Sequence, residues 1–570
     1  MTAFAYTVVL PDDQRDEDVI LAYFAAADQQ PHDNVRTLFD AFAPAWTEAT
    51  GRPAPTRWSD LLDDADLRAE AVETFRAFAA SSDLVDLTSI PVLVWSTDDN
   101  PARKIQCQLF RTWHLRTYGE PVDILPDPAN RQITKTIVQS LANAGPDLIE
   151  SYGPAQVRQF VASGMALDVS EFAAERGFGL DRVFPVAHDS MAVDGRQYAF
   201  PCNLGYTVMF YHRDMFREAG IPEPTEPWTY DDLVANSRRI IDHYRETHNQ
   251  RRFGVMGLDA WGMPLVEGTR FYNPEATASF YNTPETVRIL KRFQDLMYVD
   301  QVMPTRAEAA SAASSGGATM NADAESASAS SLFKNKVTAI VRDGRWAYKG
   351  WAEINRDRAY LPAIERRLAA LGDSANPTAR TEIAALTEAR DTLQREVLDP
   401  MSEEAYAALA ACLSDTDRAR MLDVGVMHVP SFTGVPWYEV GARVAIVNRT
   451  SAHRELGVHF LEFLASREYN EQINQTFDSI CGVPAYCLDE NGISGPPRPL
   501  PGLEAFDSPV FAEAMEYAEP AQMSPFIGDN IKGILVAPWI ERLTNNVIGP
   551  AETARRIEDT INERMAANIS

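Results

Sequence analysis

Three groups of side chains have the types and spacing to do chemistry. Glu150 and Asp259 are carboxylates at predicted strand ends, and as a pair they would suit the acid and base of a glycoside hydrolase. No further catalytic context accompanies them, so hydrolysis is the second reading. Asp231 and Asp232 resemble another acid/base dyad, but Thr229 precedes them at capping-box spacing, which makes them the start of a helix. Arg345 has the fork geometry to pair with an acidic group. The third group is aromatic. Trp95, Trp261, Trp346 and Trp437 all fall at predicted strand ends, among Ser96, Asp98, Tyr152, Asn203, Tyr206 and Tyr438. A single tryptophan is usually core. Four at such places offer flat apolar faces beside hydrogen-bonding groups, the pattern of a small-molecule site. Cys107, Cys202, Cys412, Cys481 and Cys487 match neither a zinc spacing nor a disulfide framework, although Cys481 and Cys487 are near enough to bridge one short loop.

The elements that must position these residues alternate. Pro91–Trp95, Val122–Leu125 and Pro146–Glu150 read as buried strands. Helices fill the intervals up to Tyr118, over Ile133–Ala144 and over Gln156–Gly164. Such alternation implies a mostly parallel sheet covered on both faces, with ligands beyond the carboxyl ends of the strands. Gln197–Tyr211 is rich in β-formers but contains Pro201 and Gly205, so it reads as a strand that leaves one sheet, crosses a hinge and enters another. Val337–Val341, Val424–Val429 and Ala442–Val447 are further strands, and the last helices cover Ile534–Leu543 and Ala551–Ala566. Residues 1–88 form a helical cap or spacer after one short strand at Ala5–Leu10. Residues 305–331, nearly all Ala, Ser and Gly with a few acids, read as a loose cover. Within 353–420, Leu361, Ile364, Leu368 and Leu371 are answered by Ile383, Leu386, Leu393 and Val397, with Arg390 in the skipped slot. That is the seam of an antiparallel helical hairpin, inserted against its host lobe or offered to a partner.

The totals narrow the class. With 570 residues, 45% hydrophobic and 23% charged, the chain is globular and needs more than one core. Its net charge of -29 excludes a phosphate-binding surface, hence nucleic acid. No apolar run is long enough to span a bilayer. The opening MTAFAYTVVLPDDQRDED lacks the basic start of a signal peptide.

Several stretches together carry a family resemblance. VDGRQYAFP (Val193–Pro201), TVMFYHRDMFREAGIP (Thr207–Pro222) and WTYDDL (Trp228–Leu233) follow one another in order. LFKNKVTAIVRDGRW (Leu332–Trp346) and AIVNRTSAHRELGVHFLEFL (Ala445–Leu464) come later. In these the chain resembles the extracellular solute-binding proteins of bacterial ABC importers, the maltose- and oligosaccharide-binding group, over about residues 90–570. The missing leader and the 353–420 insertion depart from that pattern. The resemblance implies an α/β, periplasmic-binding-protein-like fold of two lobes, each with a central, mostly parallel sheet. Lobe 1 would comprise 89–203 and 440–485, and lobe 2 would comprise 204–439 and 486–570. The crossings would lie near Asn203–Thr207, Tyr438–Arg443 and Val483–Asp489. It also implies a monomer outside the cytoplasm, free or tethered to the membrane, with no cofactor and no catalysis. Such a protein closes on a saccharide by hinge bending and presents it to a membrane permease. Sugars pack their C–H faces on aromatics and their hydroxyls on fixed donors and acceptors. The resemblance therefore implies a ligand site made of Trp95, Ser96, Asp98, Glu150 and Tyr152, then Asn203 and Tyr206, then Asp259, Trp261, Arg345 and Trp346, with Trp437 and Tyr438. Trp346 stands where family members commonly stack on sugar. A sensor whose insertion docks a signalling partner is a third reading.

Overall fold

In the computed structural model the described residues are 12–100, 102–314, 324–372, 376–394, 401–489, 492–493, 498–520, 522–524, 526–527 and 531–569. The expected strand at Ala5–Leu10 and the seam position Val397 lie outside them. The chain divides into two compact units. One holds the chain up to Tyr152, then Gln156–Cys202 and Arg443–Gln472. The other holds Gly153–Ala155, Asn203–Ala442 and Ile473–Ser570.

In the first unit the strands run in the order Tyr438–Val447 (its Arg443–Val447 half), Leu148–Tyr152, Val92–Ser96, Asp123–Pro126. Val92–Ser96 is parallel to both neighbours, with Trp95 opposite Leu148 on one side and Pro126 on the other. Arg443–Val447 is antiparallel, placing Arg443 opposite Tyr152 and Ala445 opposite Glu150. Leu93, Ile124, Leu148 and Ile149 are buried, as a sheet covered on both faces requires.

The N-terminal helices Asp12–Ala27, Asp33–Thr50 and Ala65–Ala79 build a core of their own. Phe24 meets Phe39 edge-on at 5.4 Å, and Phe42 meets Phe75 at 5.2 Å. Arg111 of the helix Ala102–Tyr118 ties this segment to the sheet. It donates to Asp123 at 2.9 Å and pairs with Asp18 at 3.2 Å. The segment is thus packed into the first unit.

The same helix carries a buried histidine chain. His114 Nδ1 lies 2.8 Å from the carbonyl oxygen of Glu120, which can only accept, so Nδ1 bears the proton. His114 Nε2 therefore accepts from His459 Nδ1 at 3.0 Å. Tyr118 stacks on the His459 ring, with centroids 3.9 Å apart. Burial holds His114 down to about 4. Burial, then His114 and Arg176, hold His459 down to about 3.

In the second unit a four-stranded sheet runs Val424–Met427, Thr207–His212, Thr338–Gly344, Phe253–Met256. Thr338–Gly344 is parallel to Phe253–Met256 and antiparallel to Thr207–His212. Ala199–Gly205 pairs instead with Tyr438–Val447, so the β-rich run does change sheets at Gly205–Thr207. Thr229 caps the helix Tyr230–His248 through a reciprocal box with Asp232. Those hydrogen bonds hold the Asp232 carboxyl below its ordinary range.

Two expectations shift. The third passage between units falls at Gln472–Ile473, ahead of Val483–Asp489. Ile480 already pairs with Leu204, and the Asp478 carbonyl already accepts from Asn203, both within the second unit. The insertion is also more than a hairpin. Helices Leu361–Leu371, Pro377–Gln394 and Glu403–Cys412 pack together, with Ile364, Leu386, Leu393 and Leu409 buried. A third apolar face inside the same span satisfies the seam.

Candidate functional site

In the first unit the functional side chains gather where the parallel strands end. Thr97, just after Val92–Ser96, donates to Glu150 Oε1 at 2.7 Å, and Arg443 Nη1 donates to the same oxygen at 3.0 Å. Arg131 Nε stands 3.3 Å from Glu150 Oε2. Beside them Arg103 donates to Asp98 at 2.9 Å and to Gln106 at 2.6 Å. Burial pushes the Asp98 carboxyl up, but the guanidiniums of Arg103 and Arg443 outweigh it and leave it below the usual range.

Three arginines and two carboxylates therefore share one strand-end cluster. Its inner members, Glu150, Arg443 and Arg103, are buried; its outer members are not. Tyr152 is 45% exposed, and its hydroxyl accepts from Arg131 Nη2 at 3.1 Å. The Arg131 guanidinium also lies 5.7 Å from the Tyr152 ring centre. A flat ring, a guanidinium and a part-exposed carboxylate thus stand at one edge, held from behind by buried ion pairs. That edge can stack an apolar face and both donate to and accept from hydroxyls.

Of the residues chosen from sequence, Asp98, Glu150 and Tyr152 meet here. Ser96 is buried and donates to the Asn130 carbonyl at 2.7 Å. Trp95 is wholly buried against Phe460, with ring centres 5.0 Å apart, and presents no open face. Sequence reasoning missed Thr97, Arg103, Arg131 and Arg443. For Arg443, antiparallel pairing across 293 positions is what delivers it, and no local signal marks that.

In the second unit the parallel strands Phe253–Met256 and Thr338–Gly344 end on one edge, which puts Asp259, Trp261, Arg345 and Trp346 on the loops there. Trp346 is 42% exposed. Its ring folds back over the strand, where a Cβ at Gly344 would overlap it and one at Gly205 would come within 3.3 Å. Gly344 is thus required for this ring position, and Gly205 leaves it room. Trp261 is part-buried and stacks on Tyr281 at 5.0 Å, and Asp259 accepts from the Trp261 amide at 3.1 Å.

Arg345 is core. It donates to the carbonyls of Phe506 and Ser479 at 3.2 and 3.1 Å and lies over the Phe477 ring. Its burial brings it down to about 10. No acidic ligand reaches it in this arrangement. Asn203 and Tyr206 are buried too and bond to the carbonyls of Asp478 and Phe511. Tyr438 is buried, taking the Val429 amide at 3.3 Å and giving its proton to His428 Nδ1 at 2.8 Å. Trp437 is 36% exposed. The cavity it lines with Arg270, Glu439, Glu519 and Gln522 measures about 40 Å³, room for water and not for a sugar ring.

Two units built on central sheets, with open aromatics and ion-paired carboxylates at their strand ends, define a periplasmic-binding-protein-like fold, and comparison with known proteins agrees. Residues 117–367 match the family described as bacterial extracellular solute-binding protein. The fold is similar to that of an ABC substrate-binding protein from Listeria monocytogenes in complex with cycloalternan. The TM-score is 0.59 at 16% identity, over 84% of this chain and 100% of the other. It is also similar to the maltose/maltodextrin-binding domain of Bdellovibrio bacteriovorus bound to maltotriose, with a TM-score of 0.53 at 14% identity over 84% and 99%. An arabinooligosaccharide-binding protein from Halalkalibacterium halodurans is 24% identical over 124 residues, which is 22% of this chain and 27% of that protein. The resemblance read from the sequence is borne out. The fold is that of solute-binding proteins, and the family match spans residues 117–367, under half of the chain. Among the described residues no helix is long and apolar enough to cross a membrane.

Proposed function

We propose that this protein is the solute-binding component of an ABC import system and works outside the cytoplasm. It binds a mono- or oligosaccharide, closes on it by hinge bending and hands it to a membrane permease. The match of residues 117–367 to the solute-binding family carries the reading. The strand-end chemistry agrees with it. Tyr152 in the first unit and Trp346 in the second are exposed rings of the kind that pack on sugar C–H faces, and Asp98 and Arg131 supply an acceptor and a donor for hydroxyls. Hinge closure fits a chain that passes between its units several times, because each passage is a short segment able to absorb the rotation. Glu150 is committed to Thr97, Arg443 and Arg131, and Asp259 caps its own loop, so neither is presented as a catalytic acid.

The test is a thermal-shift screen against a panel of maltodextrins, cyclic glucans and arabinooligosaccharides, followed by calorimetry. The expected result is saturable binding of one saccharide class, with changed tryptophan fluorescence and no turnover. Tyr152→Ala and Trp346→Ala should each weaken binding about tenfold, about 1.4 kcal/mol. Hydrolysis of the ligand, or absence of binding to every saccharide, would overturn the proposal.

A further inference from the structure

We propose that Glu218, His243 and His248 form a binding site for a divalent transition-metal ion of the zinc type on the second unit. The two histidines come from the last turns of the helix Tyr230–His248, and the carboxylate comes from the final residue of the helix Arg213–Glu218. One donor atom from each lies within 4.8 Å of the others. Donors around a tetrahedral zinc ion stand about 3.4 Å apart, given bonds of about 2.1 Å. Small side-chain rotations by exposed or part-exposed groups close the difference.

Two further contacts set these donors toward an ion. Thr247 gives its hydroxyl proton to the His243 carbonyl at 2.6 Å. Its 2.7 Å contact with His248 Nδ1 must then be Nδ1–H donating to Thr247 Oγ1. That tautomer leaves the His248 Nε2 lone pair open to a metal. Tyr244, buried between the histidines in sequence, donates to Glu218 Oε2 at 2.6 Å and so orients the carboxylate. Fixing a ligand's tautomer and a carboxylate's rotation is what the outer partners of metal sites do. The site also lies at the carboxyl end of a helix of 19 residues, where the dipole favours a cation.

One charge near the site, Arg252, opposes a cation and must be outweighed by the three donors; the others are paired. Arg252 lies over the Tyr244 ring at 5.4 Å but turns its guanidinium to Gln250 at 2.6 Å. Arg245 is paired with Asp242, and Asp214 with Lys336. Two imidazoles and one carboxylate select zinc, cobalt, nickel or copper over magnesium and calcium, which prefer all-oxygen cages. Three protein donors leave the fourth position for water.

Chelator-treated full-length protein titrated with zinc chloride in a calorimeter tests this directly, with magnesium and calcium chloride run in parallel. The expected result is one zinc per chain, a raised melting temperature, and no response to magnesium or calcium. His243→Ala and His248→Ala should each weaken zinc binding by more than about tenfold. Tyr244→Phe and Thr247→Val would not touch the ion. Each should weaken binding by about tenfold while leaving the melting temperature of the metal-free protein unchanged. Absence of saturable zinc binding, or binding that survives in the His243→Ala/His248→Ala double variant, would overturn the proposal.

Discussion

The buried pair His114–His459 makes the stability of the first unit sensitive to mild acid. Both imidazoles are neutral in a defined tautomer chain ending on the Glu120 carbonyl, and both are almost fully enclosed. Protonating His114 at Nε2 sets two N–H groups head to head, and protonating His459 at Nε2 places a second positive charge near Arg176. Folded values near 4 and 3 lie below the ordinary 6.5, so the unfolded chain binds more protons in the interval between. The contribution is therefore complete above about pH 6.5 and is lost as pH falls. Between pH 7 and pH 5 a group with those two values costs about 2 kcal/mol, or about 4 kcal/mol for the pair. His459→Gln removes one titration while keeping an amide N–H able to donate to His114 Nε2. Urea denaturation of wild type and variant at pH 7 and pH 5 is the assay, followed by a probe in the first unit. The wild type should lose about 2 kcal/mol more than the variant over that span. Equal losses in the two proteins would refute the reasoning, because they would mean that the histidines are already charged or solvated in the native state.

Other expectations follow from single contacts. Glu150→Gln removes the counter-charge of buried Arg443 and should destabilise the first unit by about 3 kcal/mol or more in the same denaturation assay; an unchanged or higher stability would point instead to a functional, strained carboxylate. Thr229→Ala breaks the capping box and should cost the second unit about 1 kcal/mol, with Thr229→Ser restoring most of it. The five cysteines form no disulfide, four of them being buried and Cys412 part-buried. Burial pushes the Cys107 thiol up to about 12 and the Cys412 thiol up to about 11. A thiol reagent should thus find at most Cys412 in the native protein and five thiols after unfolding; three after unfolding would mean that Cys481 and Cys487 are joined.

Much of the fold was legible in local pattern. Short apolar runs bounded by turns marked Val92–Ser96 and Leu148–Tyr152 within two residues and Thr338–Gly344 within three, and Pro201 with Gly205 marked the change of sheet. The cap at Thr229 was legible because a capping box is a contact across three residues, wholly contained in the sequence. The site was legible only in part. Strand-end placement grouped Asp98, Glu150 and Tyr152, and the structure brings them near one another because two adjacent parallel strands end there. It could not tell the enclosed Trp95 from the open Trp346, because both stand near strand ends and differ in what packs over them.

The amino-acid sequence alone determined the alternation of strands and helices, the helix start at Thr229 and the solute-binding resemblance, since each rests on neighbours within a few residues or on their order. Tertiary structure decided the rest. Arg443 reaches Glu150 through strand pairing across 293 positions. Arg345 is held in a cage of carbonyls and aromatic rings from the far end of the chain. Trp95 is closed off by Phe460. Exposure and charge pairing are properties of whatever the folded chain brings alongside a residue, and those partners lie too far along the sequence for spacing to reveal.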